Sequence, residues 1–341
     1  MTAIPKRRLG KTGLDVTEVS LGSLFLREVS TAREEAIRVV HRALELGVNY
    51  IDTAPSYGNS QVVLGEALEG RTEPYFIGSK CGSWVSKGDD GVARADWQNG
   101  PYRELDAFKV QFEQTLRDLR RDSVDILYIH EADWVPYWQD EATPRHRCHI
   151  TADGVYDYAD APVVQFLMWA KAQGMAQHLG ISGNNAHLLA QVLEARAFPV
   201  EVVLVAYQYS LIWRNARAYL LPLTPELDQG MVVGAPLQQG LLAVPHREWL
   251  EDPPDWMDDD LRSRFAELYA IQQETELSLA ELAMRFLLAD QDVTTVIPGA
   301  ATVAQLEENI ACSAAGALEP EIQARLQAIG KVFDGVKNVD Y

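Results

Sequence analysis

Cysteine is scarce in this chain: Cys81, Cys148 and Cys312 are the three among 341 residues. The number is odd and the spacing wide, so no disulfide framework is expected, and a reducing cytoplasm suits the chain. Positive charge is also short: 30 basic side chains face 49 acidic ones, a net charge of −19. Nucleic acid and anionic membranes need clustered Lys and Arg, so neither is an expected partner. No run approaches the roughly 18 apolar residues of a membrane-spanning helix. The opening MTAIPKRRLG has basic residues but no apolar stretch behind them, so no secretory signal is expected. Two chemical signatures are absent as well. Without G-x-G-x-x-G after a strand a Rossmann site is not supported, and without G-x-S-x-G neither is a serine hydrolase. The HRCH run offers His146, Cys148 and His149 but no complementary ligand pair, so no metal is expected.

The apolar share, 47%, is that of a chain with a full core. A short hairpin is expected first, with Arg8–Leu9 and Asp15–Thr17 flanking the turn Gly10–Gly13. Two element types then alternate. Short apolar runs near 18–22, 48–53, 75–79, 124–129, 177–181, 201–207, 231–235 and 293–297 read as strands. Longer runs with helical spacing lie between them, near 32–46, 60–69, 104–120, 162–173, 186–196, 278–289 and 302–313. Gly47 is a natural helix stop and Thr302 a natural cap. Eight strands each followed by a helix or long connection predict an α/β fold: a (β/α)8 TIM barrel, with residues 1–341 as one domain. Residues 132–161 and 244–260 break the rhythm as long connections. The first is rich in aromatics, so an ordered lid or pocket wall is expected there.

Active sites of such barrels lie at the C-terminal ends of the strands. Here the second strand ends in Asp52 with Tyr57 five residues on, the third in Lys80 and the fourth in His130. Each alone has an ordinary explanation: a turn cap, a rim aromatic, an exposed strand end, a core histidine. On consecutive strands the four point to one shared mouth.

The sequence resembles the aldo-keto reductases over nearly its whole length. The resemblance rests on LGKTGLDVTEVSLG (9–22), GVNYIDTAPSYG (47–58), LGEAL (64–68), GSK (78–80), VDILYIH (124–130), QYSL (208–211), APLQQGLL (235–242) and IPGAATVAQLEEN (297–309). It implies the same barrel and a catalytic tetrad of Asp52, Tyr57, Lys80 and His130. Tyrosine, with an ordinary pKa near 10, can protonate an alkoxide formed by hydride transfer. Lys80 is expected to lower that pKa, Asp52 to hold Lys80, and His130 to orient the carbonyl oxygen.

The resemblance also implies NAD(P)H across the barrel mouth. Ser182 and Gln208 would meet the carboxamide, with Asn184 in place of the usual asparagine and Tyr209 at the same strand end. Pro236, Leu237 and Gly240 would follow the pyrophosphate. Gly299, Gln305, Glu308 and Asn309 would hold the adenosine half, and free N–H groups at the helix start would suit phosphate. The cationic side chains that clamp a 2′-phosphate in many members are missing at Gly299, Ala300 and Gln305, so NADH is expected to serve at least as well as NADPH. Phe25, Tyr57, Trp84, Trp134, Tyr137, Trp138 and Arg214 are candidates to touch a small carbonyl, alcohol or sugar substrate. A nicotinamide-binding, redox-sensing subunit with slow turnover is the alternative, although no N-terminal arm is expected to dock it on a partner.

Overall fold

The computed structural model describes residues 3–87, 93–96, 99–139, 149–151 and 153–333. His146 and Cys148 lie outside the described residues. Strands β1 (Lys6–Arg8) and β2 (Asp15–Thr17) form the expected antiparallel hairpin. Eight parallel strands follow at the eight expected places: β3 (Leu21–Gly22), β4 (Tyr50–Asp52), β5 (Phe76–Cys81), β8 (Val124–Ile129), β9 (Ala176–Gly183), β10 (Val202–Ala206), β11 (Gly230–Gly234) and β12 (Thr295–Ile297). Bridges Val19–Val296 and Gly22–Gly299 join the first of these to the last and close the barrel.

Helices pack outside, where their apolar stripes direct them. In α1 (Arg33–Glu45) the buried positions Ala36, Val39, Val40, Ala43 and Leu44 share one face. Gly47, at φ +90°, ends the helix, and Val48 N–H returns to Ala43 O at 3.0 Å. The other expected helices are α2 (Ser60–Leu68), α3 (Leu105–Leu119), α4 (Pro162–Ala172), α5 (Ala186–Glu194), α9 (Leu279–Leu288) and α10 (Val303–Ala314). Thr302 caps α10, accepting from Gln305 N–H.

Some elements were not expected. A hairpin of β6 (Val85–Lys87) and β7 (Ala93–Ala95) decorates the end of β5. Helices α6 (Asn215–Tyr219) and α7 (Leu223–Glu226) fill the connection after β10. The 244–260 break runs into a helix, α8 (Asp259–Thr275), and α11 (Pro320–Ile329) follows α10. The aspartate run there is a helix start: Asp258 accepts from Leu261 N–H, and Asp259 and Asp260 sit in the first turn, favoured by the dipole.

The hairpin seals one end of the barrel. Leu9 and Val16 pack into the interior with Tyr50, Ile126, Tyr128, Val202, Leu204, Val232 and Ile297. Two tyrosines fill the middle, their hydroxyls 2.9 Å apart. Two glycines make room for them. A Cβ on Gly78 would come within 2.4 Å of the Tyr50 hydroxyl, and one on Gly180 within 2.5 Å of the Tyr128 ring. Among the described residues no helix is long and apolar enough to cross a membrane.

Candidate active site

Side chains two residues apart on a strand share a face. Asp52 therefore lies above Tyr50, Lys80 above Gly78, His130 above Tyr128 and Ser182 above Gly180, one layer nearer the C-terminal mouth. The four strand-end residues meet there. Lys80, 1% exposed, donates to Asp52 Oδ2 at 2.5 Å, Thr53 O at 2.9 Å and the Tyr57 hydroxyl at 3.3 Å. An ammonium has three donors, and all three are engaged. The Tyr57 and His130 rings meet edge to face, centroids 5.8 Å apart. His130 is fixed from several sides: its N–H donates to Cys81 O, its Nδ1 lies 3.3 Å from Ser56 Oγ, and its carbonyl accepts from the Tyr137 hydroxyl at 2.5 Å.

Burial governs the charge states. It pushes Asp52 up and Lys80 down, each opposed by the other's charge. His130 is held well below its ordinary value, by burial first and the Lys80 ammonium second, so it is neutral near pH 7. Tyr57 departs from expectation. Burial, then the carboxylates of Asp52 and Glu131, then Tyr207, push it well above 10. Lys80 does not reverse this, and near pH 7 the group is a neutral phenol.

The backbone marks the same end of the barrel. Ser83, Glu131, Tyr207, Ala235, Gln238 and Gln239 all have φ between +48° and +65°, each just past the end of β5, β8, β10 or β11. Left-handed non-glycine residues cost energy and cluster at functional sites. Two of them, Glu131 and Tyr207, are site residues that the sequence did not reveal. Tyr207 accepts a hydrogen bond from the Gln239 side chain. Glu131 is half-buried beside His130, its Oε1 3.9 Å from Nε2, and accepts from Asn184 Nδ2 at 3.0 and 2.9 Å.

The residues expected around a nicotinamide dinucleotide lie along the mouth, with some changes. Ser182 and Gln208 are buried at the ends of β9 and β10. Asn184 gives its amide N–H to Glu131, leaving its amide oxygen as the acceptor to offer. Pro236 and Leu237 follow β11, and at exposed Gly240, φ +106°, nothing lies within 4 Å of a Cβ position, so the backbone is open to a close-lying group. Gly299 serves packing: its missing Cβ admits the Phe25 ring. The start of α10 is less open than expected. Val303 N–H donates to Glu35 Oε1 at 3.0 Å, Gln305 N–H to Thr302, and Ala301 N–H to Gln305 Oε1 at 2.8 Å. Glu308 is exposed, and Asn309 donates weakly to Gly299 O at 3.4 Å. Tyr209 turns away from the mouth, its hydroxyl on Asp290 Oδ2 at 2.6 Å.

Several substrate candidates are corrected. Tyr137 and Trp138 are core residues. Tyr137 also accepts from Ser83 N–H at 3.1 Å, and the Trp138 indole donates to Ala132 O at 2.8 Å. Trp134 is buried against Tyr102, whereas Trp84, edge-on against Tyr102 and Phe108, is half-buried and stays a candidate. Arg214 is 5% exposed, donates to Leu326 O at 2.7 Å and lies 4.3 Å over the Phe286 ring. Its guanidinium holds the C-terminal helix. Among the described residues no cluster of His, Cys, Asp and Glu is arranged for a metal.

A closed (β/α)8 barrel with a lysine-linked tyrosine and a neutral histidine at its C-terminal mouth defines a class of carbonyl and alcohol oxidoreductases. The chain belongs to the aldo/keto reductase family, whose model matches residues 18–331. It is similar to L-galactose dehydrogenase of Arabidopsis thaliana, 26% identical over 100% of this chain and 98% of that one. It is also similar to the NADH-specific methylglyoxal reductase of Escherichia coli (strain K12), 26% identical over 89% and 91%. Among solved structures, the holo form of an aldo-keto reductase from Bacillus halodurans superposes with a TM-score of 0.73, at 26% identity and over 97% of this chain and 98% of that one. The chain is thus an NAD(P)-dependent oxidoreductase.

Proposed function

We propose that the protein transfers hydride reversibly between NAD(H) and a small polar aldehyde, ketone or sugar, with Tyr57 as general acid and base. The observation that carries this is the Lys80 ammonium, engaged at once by Asp52, Thr53 O and the Tyr57 hydroxyl. In reduction the substrate oxygen gains negative charge as its carbon is reduced. Tyr57 gives it a proton, and Lys80 stabilises the phenolate left behind. His130, neutral, donates from Nε2 to the same oxygen when its Nδ1 accepts from Ser56. In oxidation the proton returns to Tyr57. Ser182, Gln208 and the amide oxygen of Asn184 would hold the nicotinamide, which would supply or accept the hydride.

Three features favour NADH. No cation stands at 299–305, the Glu35 carboxylate occupies the α10 start, and a relative is named for NADH specificity. A sugar substrate is favoured by the relative named for L-galactose and by the polar floor of Glu131 and His130. The test is Tyr57→Phe. It should lose about 10²- to 10⁴-fold in kcat, the usual worth of a proton donor, while NADH affinity stays. A variant within tenfold of wild type would remove Tyr57 from this role. A holoenzyme that binds NADH yet turns over no aldehyde, sugar or alcohol would make the redox-sensing reading the better one.

A further inference from the structure

We propose that Glu131 is a specificity-determining residue that accepts a hydrogen bond from a hydroxyl on the carbon next to the reacting carbon, so that α-hydroxy aldehydes and aldoses are the substrate class. This rests on the oxidoreductase reading of the same site. Its geometry comes from two neighbours in sequence. His130 Nε2 and Glu131 Oε1 are 3.9 Å apart, and both side chains retain a little exposure, 10% and 13%. An oxygen bonded to Nε2 and a second one on the adjacent carbon lie about a hydrogen-bond length apart. Two hydrogen bonds of about 2.7–3.0 Å therefore reach both at once. A simple aldehyde satisfies the first and leaves the second unmade.

Beyond its hold on Asn184, the surroundings of Glu131 fit this role. Lys80, the nearest ammonium, is already engaged by Asp52, Thr53 and Tyr57. Among the described residues the one hydrogen-bond donor to the Glu131 side-chain carboxyl is Asn184, which serves both oxygens with one amide nitrogen. A second buried carboxyl, Asp133, stands close by, facing the backbone N–H groups of Asn184 and Asn185 and His149 Nε2 at 3.6 Å. Burial and Asp133 push Glu131 up to about 8. The chain thus keeps a poorly compensated acid, on a left-handed backbone, against the catalytic histidine. Such a group destabilises the fold unless a ligand supplies donors. Substrate hydroxyls supply them, and a site built around a hydroxyl rejects the analogue that lacks it.

The experiment compares holoenzymes of wild type, Glu131→Met and Glu131→Gln. The first readout is kcat/KM for glycolaldehyde over acetaldehyde and for glyceraldehyde over propanal. Both readouts are taken at pH 9, above the raised value of Glu131, where its carboxyl is ionised; wild type should prefer the hydroxylated member, and Glu131→Met should lower that ratio about tenfold to a hundredfold, the range for a hydrogen bond to a charged group. Glu131→Gln, which keeps one acceptor oxygen, should fall between. An equal loss on both members of each pair would overturn the proposal and leave Glu131 as an electrostatic neighbour of Tyr57. The second readout does not need turnover: xylitol and 1-pentanol titrated into the NADH complex and followed by protein fluorescence. Xylitol affinity should drop at least tenfold in Glu131→Met while pentanol is unchanged. Xylitol binding that is absent in wild type or unaffected by the substitution overturns the proposal, whether or not the oxidoreductase reading survives.

Discussion

Replacing Lys80 by methionine should destabilise the protein by an amount that depends on pH in a calculable way. Lys80 and Asp52 are 1% and 2% exposed, so the apolar replacement would leave a carboxyl sealed in the barrel without its cation. One oxygen of Asp52 already lacks a partner. Breaking a buried pair costs about 3–5 kcal/mol when the remaining charge cannot escape. Asp52 has one escape, which is to take a proton. Holding it neutral costs about 1.4 kcal/mol for each pH unit above its unfolded value near 3.9. That amounts to about 4 kcal/mol at pH 7 and about 1.5 kcal/mol at pH 5. The sign follows from linkage: the variant's folded state binds a proton that its unfolded state releases, so the penalty grows as pH rises. Urea unfolding of wild type and variant at both pH values measures it. The double variant Asp52→Asn/Lys80→Met should recover most of the loss and flatten the pH dependence. A single variant within about 1 kcal/mol of wild type at pH 7, or equally destabilised at both pH values, would refute the reasoning.

Other expectations concern neighbouring parts of the site. Tyr137→Phe removes the hydroxyl that ties His130 O to Ser83 N–H, and should cost about 1–3 kcal/mol of stability with a fall in kcat larger than any change in KM; unchanged stability and rate would show the tie to be idle. NADH should bind at least as tightly as NADPH in fluorescence titrations, and a hundredfold preference for NADPH would overturn the reading of Glu35 and Gln305. Wild-type stability should decline between pH 6.5 and 8. Glu131 and Asp133, raised to about 8 and about 7, keep protons in the folded state that the unfolded chain has lost, while His149, lowered to about 4, acts only below 6.5. Thermal unfolding across that window checks this, and Glu131→Gln should show a shallower slope.

The sequence carried the barrel and the four strand-end residues because both depend on local pattern. An apolar, β-branched run that stops at Asp, Lys or His announces a strand and what stands at its end. Glu131 escaped for the same reason: one residue past His130, it looks like the first polar residue of a loop. Only the fold reveals that its backbone turns left-handed and its side chain turns inward. Tyr137 and Trp138 misled in the opposite direction. Aromatics in a long connection suit a pocket wall, but here they fill a core shared with Tyr102, Phe108 and Phe166, and their polar tips serve backbone groups. Arg214 likewise follows QYSL closely in sequence, yet the chain leads it under α11. Helix α8 was legible after all in the spacing of Leu261, Phe265 and Leu268, with the aspartates before it as its cap.

The hairpin under the barrel has a consequence for traffic. Leu9 and Val16 stopper one end, and the tyrosine pair plugs the middle, so nothing passes through. On the proposed mechanism two reactants both meet Tyr57 and His130, and they share one doorway. They are expected to queue, and whichever seats first against the floor departs last. Steady-state kinetics should then display a compulsory order, and the slow departure of the first arrival would cap turnover. A faster variant would come from widening the exit, with Tyr57 and His130 left as they are.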